Sequence, residues 1–363
     1  RKLRRGGVDL LAGRAVMRLL ERARGATLFL DEGASEGPCL VTVLDDASPE
    51  RVLELENELR FSRELTFPGV RRAHRRAEVE DKPALYSTYF AGDTLERTVA
   101  GVRQPGERAL EVAVRIADVL GGLHAARLVH GRLSPRVVRV DPSFHDIEVS
   151  GLGHATQLDV ETEADGSLDG ERGRYAAPEQ TGRMNRPVDW RADLYALGAI
   201  LYELLTGTPP IVAEGALELV HRLIAVEPEP AHLRAPEVPE QVSAILAKLL
   251  AKNADDRYQS AEGVRVDLVR CLEAVRSGGA IARFPIGERD ASSRFRLPRK
   301  LYGRQAELRT LLEATERIAA GALELALVSA PAGTGKSKLV REIEGPHTAR
   351  RGRFIEGKFD QFQ

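Results

Sequence analysis

Cysteine is nearly absent from this 363-residue chain, with Cys39 and Cys271 the only two. Two cysteines build neither a disulfide framework nor a Cys-based zinc site, and they fit a reducing compartment. Charge of one sign is lacking too: the formal net charge is −1, which gives no global drive toward nucleic acid or anionic membranes. No apolar run approaches the ~20 residues that span a bilayer. The basic start RKLRRGG leads into VDLLAGRAVMRLLERARG, charged throughout, so it does not read as a signal peptide. Internal repeats and low-complexity tracts are missing. What remains is a soluble globular composition, 43% hydrophobic and 29% charged, with a cytoplasmic location expected. The length suits two domains or a little more. The chain opens without Met and stops at FDQFQ, partway through a strand-and-helix pattern. A longer parent protein, with downstream signalling domains missing here, is the expectation.

Residues 173–207 organise the rest. Ala177-Pro178-Glu179 comes early in this stretch. Asp193 lies fourteen residues past Glu179 and heads Leu194, Leu197, Ile200, Leu201, Leu204 and Leu205 at helical spacing. Upstream, ATLFL (26–30) and PCLVTVL (38–44) read as strands across the turn-forming DEGASEG. SPERVLELENELRFSREL (48–65) reads as a helix with Ser48 or Asp46 as its cap, and VRRAHRR with PALYSTYF as a strand pair. The basic residues 1–24 read as a helix or strand leading into this small lobe. ERALEVAVRIADVLGGLHAA (107–126) is a periodic helix running into LVHGRLSPRVVRV, and helical patterns follow at 214–226, 238–251 and 260–275. Residues 277–300, rich in Gly, Arg, Ser and Pro, read as a linker.

In this order and with these motifs the chain resembles the eukaryotic-type serine/threonine kinase fold, α+β and bilobal, with an N-lobe over about 1–90 and a C-lobe over about 91–276. The resemblance implies that Asp193 is a buried carboxylate at the start of the central C-lobe helix, accepting backbone N–H bonds from the catalytic loop. It also implies that Glu179 pairs with an Arg near the end of the lobe, for which Arg257 in AKNADDRY is the candidate.

A working kinase needs a Gly-rich cover over the phosphates, a strand Lys paired to a helix Glu, a catalytic Asp, and metal-binding Asn and Asp. ARGATLFL offers Gly25 alone to the cover. The lysine position in CLVTVL holds Thr42, whose hydroxyl supplies no charge. Counting back from Phe67-Pro68 puts the helix glutamate at Glu58, which Thr42 leaves without an assigned partner; an exposed helix carboxylate is an equally good reading. HGRLSPRV aligns on His130, Leu133 and Pro135. That puts Arg132, which cannot take a proton, at the base position and Val137 at the metal Asn position. Asp-Phe-Gly falls on Gly151-Leu152-Gly153, so the second metal carboxylate is gone. Asp141 and Asp146 read as turn carboxylates. Positions that hold the fold match, Gly198 among them, and positions that contact phosphate, metal or proton do not. The expectation is a pseudokinase. An active serine/threonine kinase with unorthodox ligands and a nucleotide-free scaffold stay open as alternatives.

From Leu301 the pattern changes. LYGRQAELRTLLEATERIAAG is an amphipathic helix, LELALVSA a buried-type strand, and GRFIEGKFDQF the next strand. Between them APAGTGKS (330–337) resembles a Walker A loop. In such a loop Gly333, Thr334 and Gly335 turn N–H groups toward a β-phosphate, Lys336 reaches the β and γ phosphates, and the Ser337 hydroxyl holds Mg2+. The helix that follows places its N-terminus under the phosphates. Ala330 departs from the first Gly of the motif. ATP and Mg2+ are the expected ligands, and residues 301–363 read as the start of an α/β P-loop NTPase domain. No Walker B carboxylate is recognisable after Ser337.

Residues 178–210, 251–260, 283–308 and 352–363, with SAPAGTGKSKLV, together resemble the front of very large bacterial signalling proteins. Those join a serine/threonine kinase-like domain, an AAA-type (STAND-like) ATPase, a GAF domain and often a sensor histidine kinase. The resemblance implies cytoplasmic signal transduction, ATP as the nucleotide, and protein partners.

Overall fold

The computed structural model describes residues 8–9, 17–23, 25–35, 37–158, 172–184, 186–290, 304–329 and 336–343. A sheet lobe comes first. Strands β1 (Val8–Asp9), β2 (Met17–Ala23), β3 (Ala26–Asp31) and β4 (Cys39–Leu44) precede helix α1 (Pro49–Glu64), and β5 (Ala73–Val79) and β6 (Lys82–Thr88) follow it. The six strands form one sheet in the order β1-β2-β3-β4-β6-β5, antiparallel at every pairing. Ala23 pairs with Ala26, so β2 and β3 turn in two residues, and Gly25 takes the left-handed φ of 82° such a turn requires. Helix α1 starts at Pro49, whose missing N–H costs nothing at that position. Ser48 makes no side-chain cap bond; its own N–H donates to Asp46 Oδ1 at 3.1 Å.

The helical lobe opens with β7 (Asp93–Thr94), α2 (Leu95–Val99) and α3 (Gly106–Ala125), then β8 (Leu128–Val129), β9 (Val138–Val140), β10 (Ile147–Val149) and β11 (Thr156–Gln157). Helices α4 (Arg191–Thr206), α5 (Ala216–Ala225), α6 (Ala231–Arg234), α7 (Glu240–Leu249) and α8 (Ala261–Arg276) complete it. Helix α4 is buried on every side except at Glu203, which a helix tolerates only at the centre of a lobe. Gly198 permits this: a Cβ there would lie 2.7 Å from Leu249 Cβ, so α4 and α7 approach too closely for any side chain.

The segment expected as a linker is, over residues 281–290, a strap held on the helical lobe. Phe284 is buried under the Arg270 guanidinium, and its carbonyl accepts from Gln241 Nε2 at 2.9 Å. Asp290 accepts from the N–H groups of Gln259 (2.7 Å) and Ser260 (2.9 Å), and the Gly287 N–H donates to Asp267 Oδ2 at 2.7 Å. Gly and Arg made this stretch look like a spacer; Phe284, with the partly buried Ile281 and Ile286, and the Asp290 carboxylate are what dock it. Residues 291–303 lie outside the described set.

Beyond the strap come α9 (Gln305–Ala319), a stretch without regular secondary structure at 322–329, and α10 (Lys336–Arg341). LELALVSA (323–330), whose last residue lies outside the described set, was expected as a buried-type strand. Leu323, Leu325 and Leu327 are instead almost fully exposed, because among the described residues no strand pairs with it.

Phe284→Ala is expected to destabilise the helical lobe by about 3 kcal/mol through the cavity it leaves. Thermal unfolding against the parent protein checks this, and an unchanged midpoint would mean that the strap lies passively on the surface.

Candidate functional site

Two buried acids fix the loops that border the interlobe cleft. Asp193, in the first turn of α4, accepts the backbone N–H groups of His130 (2.9 Å) and Gly131 (2.8 Å), and lies 2.9 Å from His124 Nε2. An anion there is also favoured by the helix dipole. Glu179 meets Arg257 in a bidentate pair, both contacts 2.7 Å, with the two side chains 2% and 0% exposed. The remaining guanidinium protons of Arg257 reach the carbonyls of Ala251, Arg191 and Lys252, so all five N–H donors are satisfied. Gln180 ties the two regions together, accepting from the Ala177 N–H and donating to the Gly131 carbonyl at 2.6 Å.

The reaction positions hold other contacts. Arg132, at the base position, places Nη1 3.3 Å from His154 Nε2, and His154 lies 3.5 Å from Glu54 of α1. Thr42 sits in mid-strand on β4, opposite Leu28 and Leu85. The β2–β3 turn, where a phosphate cover would be, is pinned to α1: Arg51 Nη1 donates to the Gly25 carbonyl at 2.7 Å. Val137 presents no ligand atom, and its Cγ1 would be 3.0 Å from a Cβ on Gly151. These residues do not fit a catalytic Mg2+, and among the described residues no three His, Cys, Asp or Glu side chains gather to hold a metal.

Of the two readings of Glu58, the contacts go against the exposed helix carboxylate. Its two oxygens accept the N–H groups of Gly151 (3.2 Å) and Gly153 (2.8 Å), while Asn57 Nδ2 donates to the Gly153 carbonyl at 3.4 Å. Burial pushes its carboxyl above the usual range, and Arg71, these two N–H groups and His130 pull it back. A Cβ on Gly153 would lie 2.5 Å from the Glu54 carbonyl oxygen, so α1 grips the turn at 151–153 against its bare backbone. The sequence carried no signal for this, because the partners are main-chain groups. Asp141 does serve its own turn, accepting the N–H groups of Ser143 and Asp146.

Sequence reasoning also missed Arg139. It stands between two buried valines of β9 and is itself only 8% exposed. A lone Arg inside an apolar strand was the available signal.

Of the phosphate-loop residues, Gly333, Thr334 and Gly335 lie outside the described set, as does the side chain of Ser337. Lys336 is the first residue of α10. It lines a groove of about 420 Å³ with Arg304, Arg317, Ser329 and Leu339.

The family model of the protein kinase domain matches residues 43–269, and that of the AAA ATPase domain matches residues 300–363. The chain belongs to the protein kinase family. It is 36% identical over 208 residues to a hybrid signal transduction histidine kinase G of Dictyostelium discoideum, a match covering 52% of this chain and 6% of that protein. It is 32% identical over 203 residues to a probable serine/threonine-protein kinase of Streptomyces coelicolor (55% of this chain, 30% of that protein). It is 28% identical over 233 residues to the serine/threonine-protein kinase PknB of Mycolicibacterium smegmatis (62% and 37%). The chain thus spans well under half the length of these relatives. No helix among the described residues is long and apolar enough to cross a membrane.

Glu179→Ala strands a buried guanidinium and is expected to destabilise the kinase domain by about 3–5 kcal/mol, read as a lower urea midpoint; a loss below about 1 kcal/mol would contradict the role given to Arg257. Lys252, beside that pair, has its pKa pulled down to about 8 by burial. The unfolded chain therefore holds that proton more tightly than the folded one does. The contribution of Lys252 to stability is expected to rise as pH climbs from about 8 toward 10.5, by about 2–3 kcal/mol, read as the difference between the parent and Lys252→Met. Lys252→Met flattens that rise in urea midpoints measured across this range.

Proposed function

We propose that the kinase domain, over about residues 1–276 with its docked strap, is a pseudokinase. In this reading it is a regulatory, protein-binding domain joined to an ATP-binding P-loop domain over about 301–363, in a cytoplasmic signalling protein. One observation carries the reading. The base position holds Arg132, set against His154, which itself lies by Glu54, while Glu58 holds the backbone of 151–153 and Thr42 stands at the lysine position. A guanidinium cannot accept the substrate hydroxyl proton, and Val137 and Gly151 offer no oxygen to a metal. ATP and Mg2+ belong, in this reading, to the loop of Gly333, Thr334, Gly335, Lys336 and Ser337, whose Lys336 opens a helix. The AAA ATPase match over 300–363 supports that assignment.

An active serine/threonine kinase is the second reading, favoured by the names of the Streptomyces and Mycolicibacterium relatives. The two part on one assay. With γ-labelled ATP and Mg2+, the chain is expected to label neither itself nor a generic protein substrate above background, and Lys336→Ala is expected to abolish ATP binding. Phosphate transfer that survives Lys336→Ala would establish the active kinase.

A further inference from the structure

Val138 and Val140 of β9 are buried in the helical-lobe core. Strand alternation turns Arg139 the other way, toward the sheet lobe, yet it too is buried. Its Nη1 donates to the carbonyl of Gly92, in the connection between the lobes, at 2.9 Å. Glu148 lies opposite it on β10, itself bonded to Arg71 Nε at 2.7 Å. From the sheet lobe Glu21 of β2 attracts the same guanidinium, as does Asp93. Arg97 closes the ring, 3.0 Å from Glu21 and 3.7 Å from Asp93. Three cations (Arg139, Arg71, Arg97) and three anions (Glu148, Glu21, Asp93) thus form one neutral cluster that joins the lobes across the cleft.

The kinase fold sets the phosphates of ATP under the β2–β3 hairpin and beside the β4 lysine position. The purine then falls deeper in the cleft, between β2 and β9 and against the interlobe connection. A flat, largely apolar ring needs an apolar slot there. In this chain a buried guanidinium bonds the connection at Gly92, and its residue lies opposite Glu148 of β10. A purine could enter only by displacing a charge already paired and hydrogen-bonded, a costly exchange.

We propose that Arg139 is an internal plug in the purine end of the interlobe cleft, so that this cleft excludes adenine nucleotides and the lobes are clamped by charge instead of ligand. The proposal rests on the pseudokinase reading and extends it from lost transfer to lost binding. Removing the plug leaves no orphan anion, since Glu148 keeps Arg71, and Glu21 and Asp93 keep Arg97. Arg139→Leu is therefore expected to fold.

The test uses the whole chain carrying Lys336→Ala, which silences the P-loop, with adenosine as the probe. The Lys336→Ala parent is expected to show no calorimetric heat and no rise in melting temperature with adenosine. Adding Arg139→Leu, or Arg139→Met as an unbranched substitute of similar length, is expected to give saturable binding and a rise of several degrees that grows with adenosine concentration. Adenosine binding by the parent would overturn the proposal, as would its absence from whichever of the two variants melts cooperatively. Neither variant restores a base or a metal ligand, so phosphate transfer stays absent in both. Transfer, if seen, would overturn the pseudokinase reading itself, whereas adenosine binding by the parent without transfer would overturn only the plug.

Discussion

The helical lobe depends on one fully buried guanidinium. The Arg257 side chain is shut off from solvent, and five acceptor oxygens from three chain segments surround it: both of Glu179, the carbonyl of Arg191, and those of the adjacent Ala251 and Lys252. Burying a cation is tolerable only when every donor is satisfied and the charge is met. That requirement fixes, at once, the Ala-Pro-Glu turn, the start of α4 and the chain after α7. Asp193 applies the same logic with the opposite sign, ordering the loop at 130–131 through its backbone N–H groups. Neither anchor involves a ligand, so the lobe can hold its form without nucleotide.

The strap extends this frame toward the ATPase domain. Asp290 bonds the N–H groups of Gln259 and Ser260, and the Gln259 side chain bonds the carbonyl of Arg257 at 2.7 Å and accepts from Arg191 at 2.9 Å. The strap is thus linked through a single residue, Gln259, to the main chain of Arg257. Gly263 makes the contact close: a Cβ there would meet Asp290 Oδ1 at 2.5 Å.

Much of the frame was legible in the sequence. The spacing of leucines after Asp193 marks α4, the Ala-Pro-Glu motif marks Glu179, and AKNADDRY marks Arg257. Each is a motif whose physical requirement is local or is met by a side chain of recognisable charge. The cleft was less legible. Glu58 finds its partners in the main chain at Gly151 and Gly153, and N–H groups leave no trace in residue identity. Phe284 and Asp290 sit in a composition that reads as spacer, and docking depends on two or three residues that composition averages away. The exposed leucines of 323–327 show the converse, an apolar alternation that no strand pairs with among the described residues.

The substitutions in the cleft are of one kind when their contacts are compared. Arg132 reaches His154, Arg51 holds the β2–β3 turn, Glu58 holds the 151–153 backbone, and Arg139 bonds the interlobe connection. A working kinase of this fold meets those same regions with phosphate, metal and nucleotide, and its lobes settle around them. Here polar groups of the chain stand in those regions and are paired with one another, at a desolvation cost that a ligand-binding cleft would not carry empty. Because the cluster around Arg139 is neutral and internally paired, the position of the sheet lobe on the helical lobe does not wait on ATP. A domain so fixed presents constant surfaces.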